Sequence, residues 1–208
     1  LAPILPEIDN LFGVPQTAKY HPEIDTGIHT LMVLEQAAKL SQDPIVRFAA
    51  LVHDLGKAKT PEGELPSHKG HEARGLPLIK QLCERLRVQK KFQSLALAVS
   101  EFHLHMHKMH ELRPQTVLKM LEKTRSLNDD ERAQQIALCC LADARGRTGF
   151  EDREYSQAQL FLDYQQVAKN VDTKAIAANN KGGKKIEDAI KKARVAALKQ
   201  YKLKILSK

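Results

Sequence analysis

The run Arg47-Phe48-Ala49-Ala50-Leu51-Val52-His53-Asp54-Leu55-Gly56-Lys57 is an apolar helical stretch that ends in an imidazole, a carboxylate, a glycine and a lysine. A helix this apolar belongs in a core. Its end therefore carries two groups that are costly to bury without partners. A divalent cation would neutralise the carboxylate, and a cation beside a lysine suits a phosphorylated substrate. Whatever this chain folds into must bring partners to His53 and Asp54.

The rest of the sequence favours packed helices. Aromatic residues are 5% of the chain and Trp is absent, while hydrophobic residues reach 42%. A core built from Leu, Ala, Ile and Val suits helices better than a β-sandwich. Thr26 can cap a helix over 27–40, and Asp43-Pro44 opens one over 45–54 that Gly56 would stop. From His71 onward, Leu76, Ile79, Leu82, Cys83 and Leu86 recur at spacings of three and four. Pro77 inside that stretch predicts a later start or a kink. Further amphipathic stretches cover 91–107, 115–125, 129–144, 155–167 and 184–202. No period-two strand pattern and no internal repeat is visible. The expected fold is all-α, a helical bundle with a C-terminal basic helical extension.

Three segments are expected: a proline-rich connector over 1–25, a helical domain over 26–150, and a helical basic tail over 151–208. No apolar run approaches the roughly 20 residues that span a bilayer, so no membrane partner is expected. No secretory signal is visible. The chain starts at Leu1 rather than Met, which suggests a fragment or a processed product. The cysteines, Cys83, Cys139 and Cys140, are odd in number, and two are neighbours in an apolar run. They read as small core residues in a reducing compartment, and the expected location is the cytoplasm.

Four metal-competent side chains sit on core-forming helices: His29, His53, Asp54 and Asp143. A bundle can gather all four at one end of its core. Mixed imidazole and carboxylate ligands suit first-row divalent ions such as Mn, Fe, Co, Ni or Zn. A plainer reading stands beside this for each residue. His29 alone can be a hydrogen-bonded core histidine, and Asp143 can simply meet Arg145 or Arg147. A second set comprises His68, His71, His103, His105, His107 and His110. His103 and His107 share a helical face, with His110 one turn on. His71 and His103 are the stronger candidates to face the site; His105, His107 and His110 also fit a helix end with solvated imidazoles. Lys57 can meet a phosphate oxygen or act as a solvated helix-end cation. Arg145 and Arg147 are further phosphate candidates. No Ser-His-Asp or reactive-Cys arrangement is apparent, so water is the expected nucleophile.

His29, His53-Asp54 and a distant Asp143 resemble the H…HD…D signature of the HD superfamily of metal-dependent phosphohydrolases. Three longer strings are more specific: His21-Pro22-Glu23-Ile24-Asp25-Thr26-Gly27-Ile28-His29-Thr30, Val46 through Lys57, and Ala142-Asp143-Ala144-Arg145-Gly146-Arg147-Thr148-Gly149-Phe150-Glu151. They resemble the C-terminal half of gammaproteobacterial multifunctional CCA proteins, which are class II tRNA nucleotidyltransferases with a C-terminal HD domain. The resemblance covers most of the chain. It implies a helical HD domain acting as a 2′,3′-cyclic phosphodiesterase, 2′-nucleotidase and phosphatase. It further implies His53 and Asp54 as catalytic residues, His29, His53, Asp54 and Asp143 as metal ligands, and His71 and His103 as holders of a second metal or the substrate phosphate. The implied cofactor is a divalent metal (Ni, Mn, Co or Mg), with no organic cofactor. The implied partners are tRNA, 2′,3′-cyclic or 2′-phosphorylated nucleotides, and an N-terminal nucleotidyltransferase head. The Gly-Ser and Asp-x-Asp elements of that head are missing here, so this chain alone is expected to hydrolyse and not to polymerise.

The net charge of +8 lies entirely at one end. Residues 1–170 hold 22 basic and 22 acidic side chains; residues 171–208 hold 11 and 3. A neutral body with a basic tail points to an anionic partner at that end. Lys184, Lys185, Lys191, Lys192 and Arg194, after the Gly182-Gly183 pair, are candidates for contacts to tRNA phosphates. A solvated basic face is the alternative. Two rival functions remain at this level: a non-catalytic tRNA-binding platform, and a free-standing HD nucleotide hydrolase.

Overall fold

The computed structural model describes residues 2–207. Its helices are α1 (Pro6–Asp9), α2 (Thr26–Leu40), α3 (Pro44–Val52), α4 (His71–Arg85), α5 (Lys90–His107), α6 (Pro114–Lys123), α7 (Asp130–Arg145), α8 (Ser156–Lys169), α9 (Thr173–Ala178) and α10 (Gly183–Leu206). Two short 3-10 turns, Leu55–Lys59 and Glu62–Glu64, separate α3 from α4. Among the described residues no strand forms beyond one isolated bridge between Pro15 and Asp25. The all-helical expectation is borne out.

α3 lies at the centre, against α2, α5 and α7. Its sequence explains the position. Asp43 Oδ1 accepts the Ile45 N–H at 2.8 Å, and Pro44 fills the first turn, where an N–H has no intrahelical acceptor. The other Asp43 oxygen takes the Gln135 amide at 2.8 Å, which ties this end of α3 to α7. Val46, Ala49 and Val52 are fully buried. Each such valine contributes about 1.5–3 kcal/mol of burial free energy. Cys83, Cys139 and Cys140 are free and buried, as the apolar run predicts.

Three local expectations change. Asp25, not Thr26, caps α2: its carboxylate accepts the Ile28 N–H at 2.9 Å, while the Thr26 hydroxyl donates to the Val14 carbonyl. α4 starts at His71 and continues through Pro77. α3 stops at Val52, before Gly56. Gly56 has another role, because a β-carbon there would overlap the His71 carbonyl oxygen and crowd the Gly75 nitrogen. The missing side chain lets α4 cross against the 3-10 turn and delivers His71 to the end of α3.

α8 packs on α7, and α10 packs on α8 and α6. The hydrophobic core is continuous from Ile8 to Leu198. Among the described residues no helix is long and apolar enough to cross a membrane.

Candidate metal centre

α2 supplies His29, the end of α3 supplies His53 and Asp54, α4 opens on His71, α5 carries His103, and α7 carries Asp143. All six are buried, at 5% exposure or less. The four imidazoles share one arrangement. Nδ1 of His29 lies 2.9 Å from the Gly146 carbonyl, that of His53 2.7 Å from Ala50, that of His71 2.7 Å from His68, and that of His103 3.0 Å from Ser100. A carbonyl only accepts, so each Nδ1 carries a proton, and Nε2 is the inward nitrogen that is bare whenever the ring is neutral. In three of the four the acceptor lies three residues back. A side chain at a helical position leans toward the preceding turn, and that lean sets the contact.

The inward atoms converge. His29 Nε2 lies 3.2 Å from Asp143 Oδ1 and 3.8 Å from Asp54 Oδ2. His53 Nε2 lies 3.2 Å from Asp54 Oδ2 and 3.8 Å from Asp143 Oδ2. The other Asp54 oxygen is 3.1 Å from His71 Nε2 and 3.6 Å from His103 Nε2. Asp54 thus joins two groups, His29–His53–Asp143 and Asp54–His71–His103, each with ligand atoms within 4.8 Å of one another. His29 Nε2, His53 Nε2 and Asp54 Oδ1 are buried without a hydrogen-bond partner. Acceptors facing acceptors in a low-dielectric pocket call for a cation, and this donor set fits a divalent metal. The family model described as HD domain matches residues 26–145, a span that includes all six residues.

The chain belongs to the HD domain family. It is also similar to the multifunctional CCA proteins of Vibrio campbellii and Vibrio parahaemolyticus, each 55% identical over 96% of this chain. The multifunctional CCA protein of Shewanella frigidimarina is 48% identical over 98% of it. In each case the match covers 49% of the relative, so the chain spans about half the length of the curated relatives it matches. No solved structure matches the chain significantly.

Within the HD site, charge holds both carboxylates ionised. Burial alone would push Asp54 up, but the charges of His53 and Lys57 hold it well below the usual carboxylate range. Against its burial, the N–H of His107 and the charge of Arg147 hold Asp143 low as well. Burial drives His103 down to about 3. For His53 burial also lowers the pKa, yet the adjacent Asp54 and Asp143 charges outweigh it and the net direction is up. A metal entering the HD site therefore competes with a proton on His53.

Lys57 is not a solvated helix-end cation. Its ammonium is buried, 2.6 Å from Asp54 Oδ2 and 2.6 Å from Gln16 Oε1. Asp54, His71, His103 and Asp143 line a cleft of about 390 Å³, whose walls include Tyr20, His21, Lys69, Lys108 and Arg147, while His29 and His53 are not part of its lining. Arg147 reaches Asp143 Oδ1 at 3.4 Å, whereas Arg145 turns away and donates to the Arg153 carbonyl. Arg145 does not line the cleft.

Glu23 escapes the sequence reading, and the second histidine set named there divides. Glu23 Oε1 lies 3.0 Å from His29 Nδ1 and 3.1 Å from His21 Nδ1, almost fully buried. Ile24 beside it has φ 60°, a left-handed conformation that costs a β-branched residue about 1–3 kcal/mol. The Ile24 carbonyl accepts the Gln16 N–H at 2.6 Å and pins this turn. His68 bridges Thr60 and the Pro15 carbonyl at 2.7 and 3.0 Å. The visible signal for Glu23 was the His-x-Glu spacing within His21-Pro22-Glu23. His107 reaches Asp143 at 2.6 Å, one turn along the face of His103. His105 instead lines a groove with Glu101 and Lys119, and His110 meets Ser156.

The segment expected as the basic tail, from 151 onward, folds as α8, α9 and α10, and the basic helix within it is α10. Lys184, Lys185 and Lys192 are exposed on it. Lys191 pairs with Glu187 at 2.9 Å, and Arg194 donates to the Ala168 carbonyl at 3.2 Å, so these two have contacts within the fold.

Proposed function

We propose that this chain is the phosphohydrolase half of a tRNA CCA-adding and repair protein, hydrolysing 2′,3′-cyclic and 2′-phosphorylated nucleotides with a divalent metal. The observation that carries the reading is the convergence of bare imidazole nitrogens and two ionised carboxylates beside a basic cleft. His29, His53, Asp54 and Asp143 would hold the metal. Such an ion, when bound, polarises a phosphoryl oxygen and lowers the pKa of a water. His53 and Asp54 are the catalytic pair of this reading. The residues around them bind and orient. Lys57 and Arg147 offset negative charge on the substrate phosphate, and Glu23 steadies the His29 ring through its Nδ1–H. His71 and His103 offer two further Nε2 atoms to a second ion or, if protonated, to a phosphate oxygen.

Similarity to multifunctional CCA proteins supports tRNA as the larger context, and the resemblance of the three sequence strings supports a nucleotidyltransferase head as partner in a cytoplasmic setting. The exposed lysines of α10 would meet the tRNA backbone without reading bases. Nickel, manganese, cobalt and magnesium are the ions to compare. The test is turnover of 2′,3′-cyclic AMP by the purified chain with nickel or manganese. His53→Ala and Asp54→Ala should each abolish it. Unchanged turnover in either variant sinks the catalytic reading and leaves a tRNA-binding platform.

A further inference from the structure

His107 departs from the pattern of the other buried histidines. Its Nε2 lies 2.6 Å from Asp143 Oδ2, and its Nδ1 lies 2.9 Å from the Tyr155 hydroxyl. A carboxylate only accepts, so Nε2 carries the proton. In the neutral ring Nδ1 is then a bare acceptor, and the tyrosine fills it by donating. Burial pushes the Tyr155 phenol far above its ordinary range, so its proton stays in place. His29, His53, His71 and His103 each hold the proton on Nδ1 and offer Nε2 inward. His107 presents an N–H inward instead. One nitrogen cannot both donate to Asp143 and ligate a metal.

The tyrosine comes from outside the matched family region, which ends at residue 145. Its two successors reinforce the contact. Ser156 Oγ lies 2.9 Å from His110 Nε2, and the Gln157 amide donates to the His107 carbonyl at 3.3 Å. Tyr155 and Gln157 thus grip His107 at the end of α5, and Ser156 holds the turn that follows it.

We propose that Tyr155 is a positioning residue for the metal centre. Its hydroxyl donates to Nδ1 and so holds the His107 ring with its Nε2–H on Asp143, and His107 then holds Asp143 so that Oδ1 faces His29 Nε2. The segment after the HD region thereby completes the HD site. The inference rests on the metal reading of that site.

Its test uses the whole chain and zinc, a diamagnetic probe. Long-range proton–nitrogen NMR reports which ring nitrogen of each histidine is protonated and which meets the metal. The expected result is His107 as the Nε2–H form with and without zinc, while zinc shifts Nε2 of His29 and His53. Tyr155→Phe should leave Nδ1 without its donor, free the His107 ring to turn, and weaken zinc binding by about tenfold, at the low end of losses from outer-shell partners. His107→Gln keeps an amide N–H for Asp143 and no longer needs the tyrosine. Adding Tyr155→Phe to His107→Gln should therefore cost no further affinity, a coupling that generic loosening of α8 would not give. A zinc-shifted His107 Nε2, or Tyr155→Phe with unchanged zinc affinity, overturns the proposal. Failure of zinc to shift the other histidines sinks the metal reading itself, and with it the role of Tyr155.

Discussion

The Nε2 atoms of His71 and His103 face each other at 3.1 Å, and each ring has its Nδ1 on a backbone carbonyl. Two lone pairs at that distance repel unless something positive lies between or beside them. Asp54 Oδ1 is 3.1 and 3.6 Å from the same two atoms and lacks a hydrogen-bond partner of its own. Burial keeps His103 from taking a proton, with its pKa near 3. A second divalent ion held by Asp54, His71 and His103 would satisfy all three atoms. Elemental analysis after dialysis should give two metals per chain, falling to one in His103→Ala. One metal in both proteins would refute this.

Lys57 offers a second test. Its ammonium is the positive charge nearest Asp54, at 2.6 Å, and it is buried. Removing one partner of a buried pair costs about 3–5 kcal/mol, because the other charge is stranded. Lys57→Met should destabilise the metal-free protein by roughly that amount in urea unfolding. Saturating nickel should recover most of the loss, since a cation at Asp54 replaces the missing charge. An equal loss with and without nickel would show that no metal sits on Asp54.

Much of this centre was legible because polar groups stand out on apolar helices. His29 and Asp143 lie on α2 and α7, where helical periodicity fixes the direction of each side chain, and His53 and Asp54 directly follow the apolar α3. Glu23, His68 and Tyr155 lie in irregular segments, where no period says which way a residue points. The Glu23 turn depends on a left-handed Ile24, which nothing in an isoleucine codon neighbourhood announces. Gly56 read as a stop signal because a glycine after a helix commonly is one; its real role needed the position of α4. The burial of Lys57 follows from that same approach.

The buried histidines predict an acid-side loss of stability. Burial lowers His21 to about 4 against an ordinary value of 6.5. Between those values the unfolded chain takes up a proton that the folded chain refuses, so stability falls as pH drops from 6.5 toward 4. Asp54 and Asp143, held low when folded, add a further loss below about 3.8. His53, raised when folded, has the opposite sign: its contribution is full below 6.5 and is lost as pH rises through its folded value. Because His53 is common to both proteins, its term cancels in a comparison of wild type with His21→Gln. Unfolding free energies measured from pH 7 to 4 should fall less steeply in His21→Gln. Parallel curves would show that His21 is not held neutral.

The charge of α10 is best tested by substitution. Leu198 is fully buried in the common core, so deleting residues 181–208 would open that core as well as remove charge. Lys184, Lys185 and Lys192 are exposed and can be changed without that damage. If about five basic groups of α10 meet tRNA phosphates, the log of affinity should fall against log salt with a slope of about −3.5, at about −0.7 per contact. Replacing the three lysines by glutamine should make the slope shallower by about 2 and weaken binding most at low salt. Lys191 and Arg194 already have partners in the fold, so their substitution should change the slope less. Filter binding of tRNA across a salt series reads both quantities. An unchanged slope in the triple variant would assign the basic face to solvent and leave tRNA contact to other surfaces of the chain.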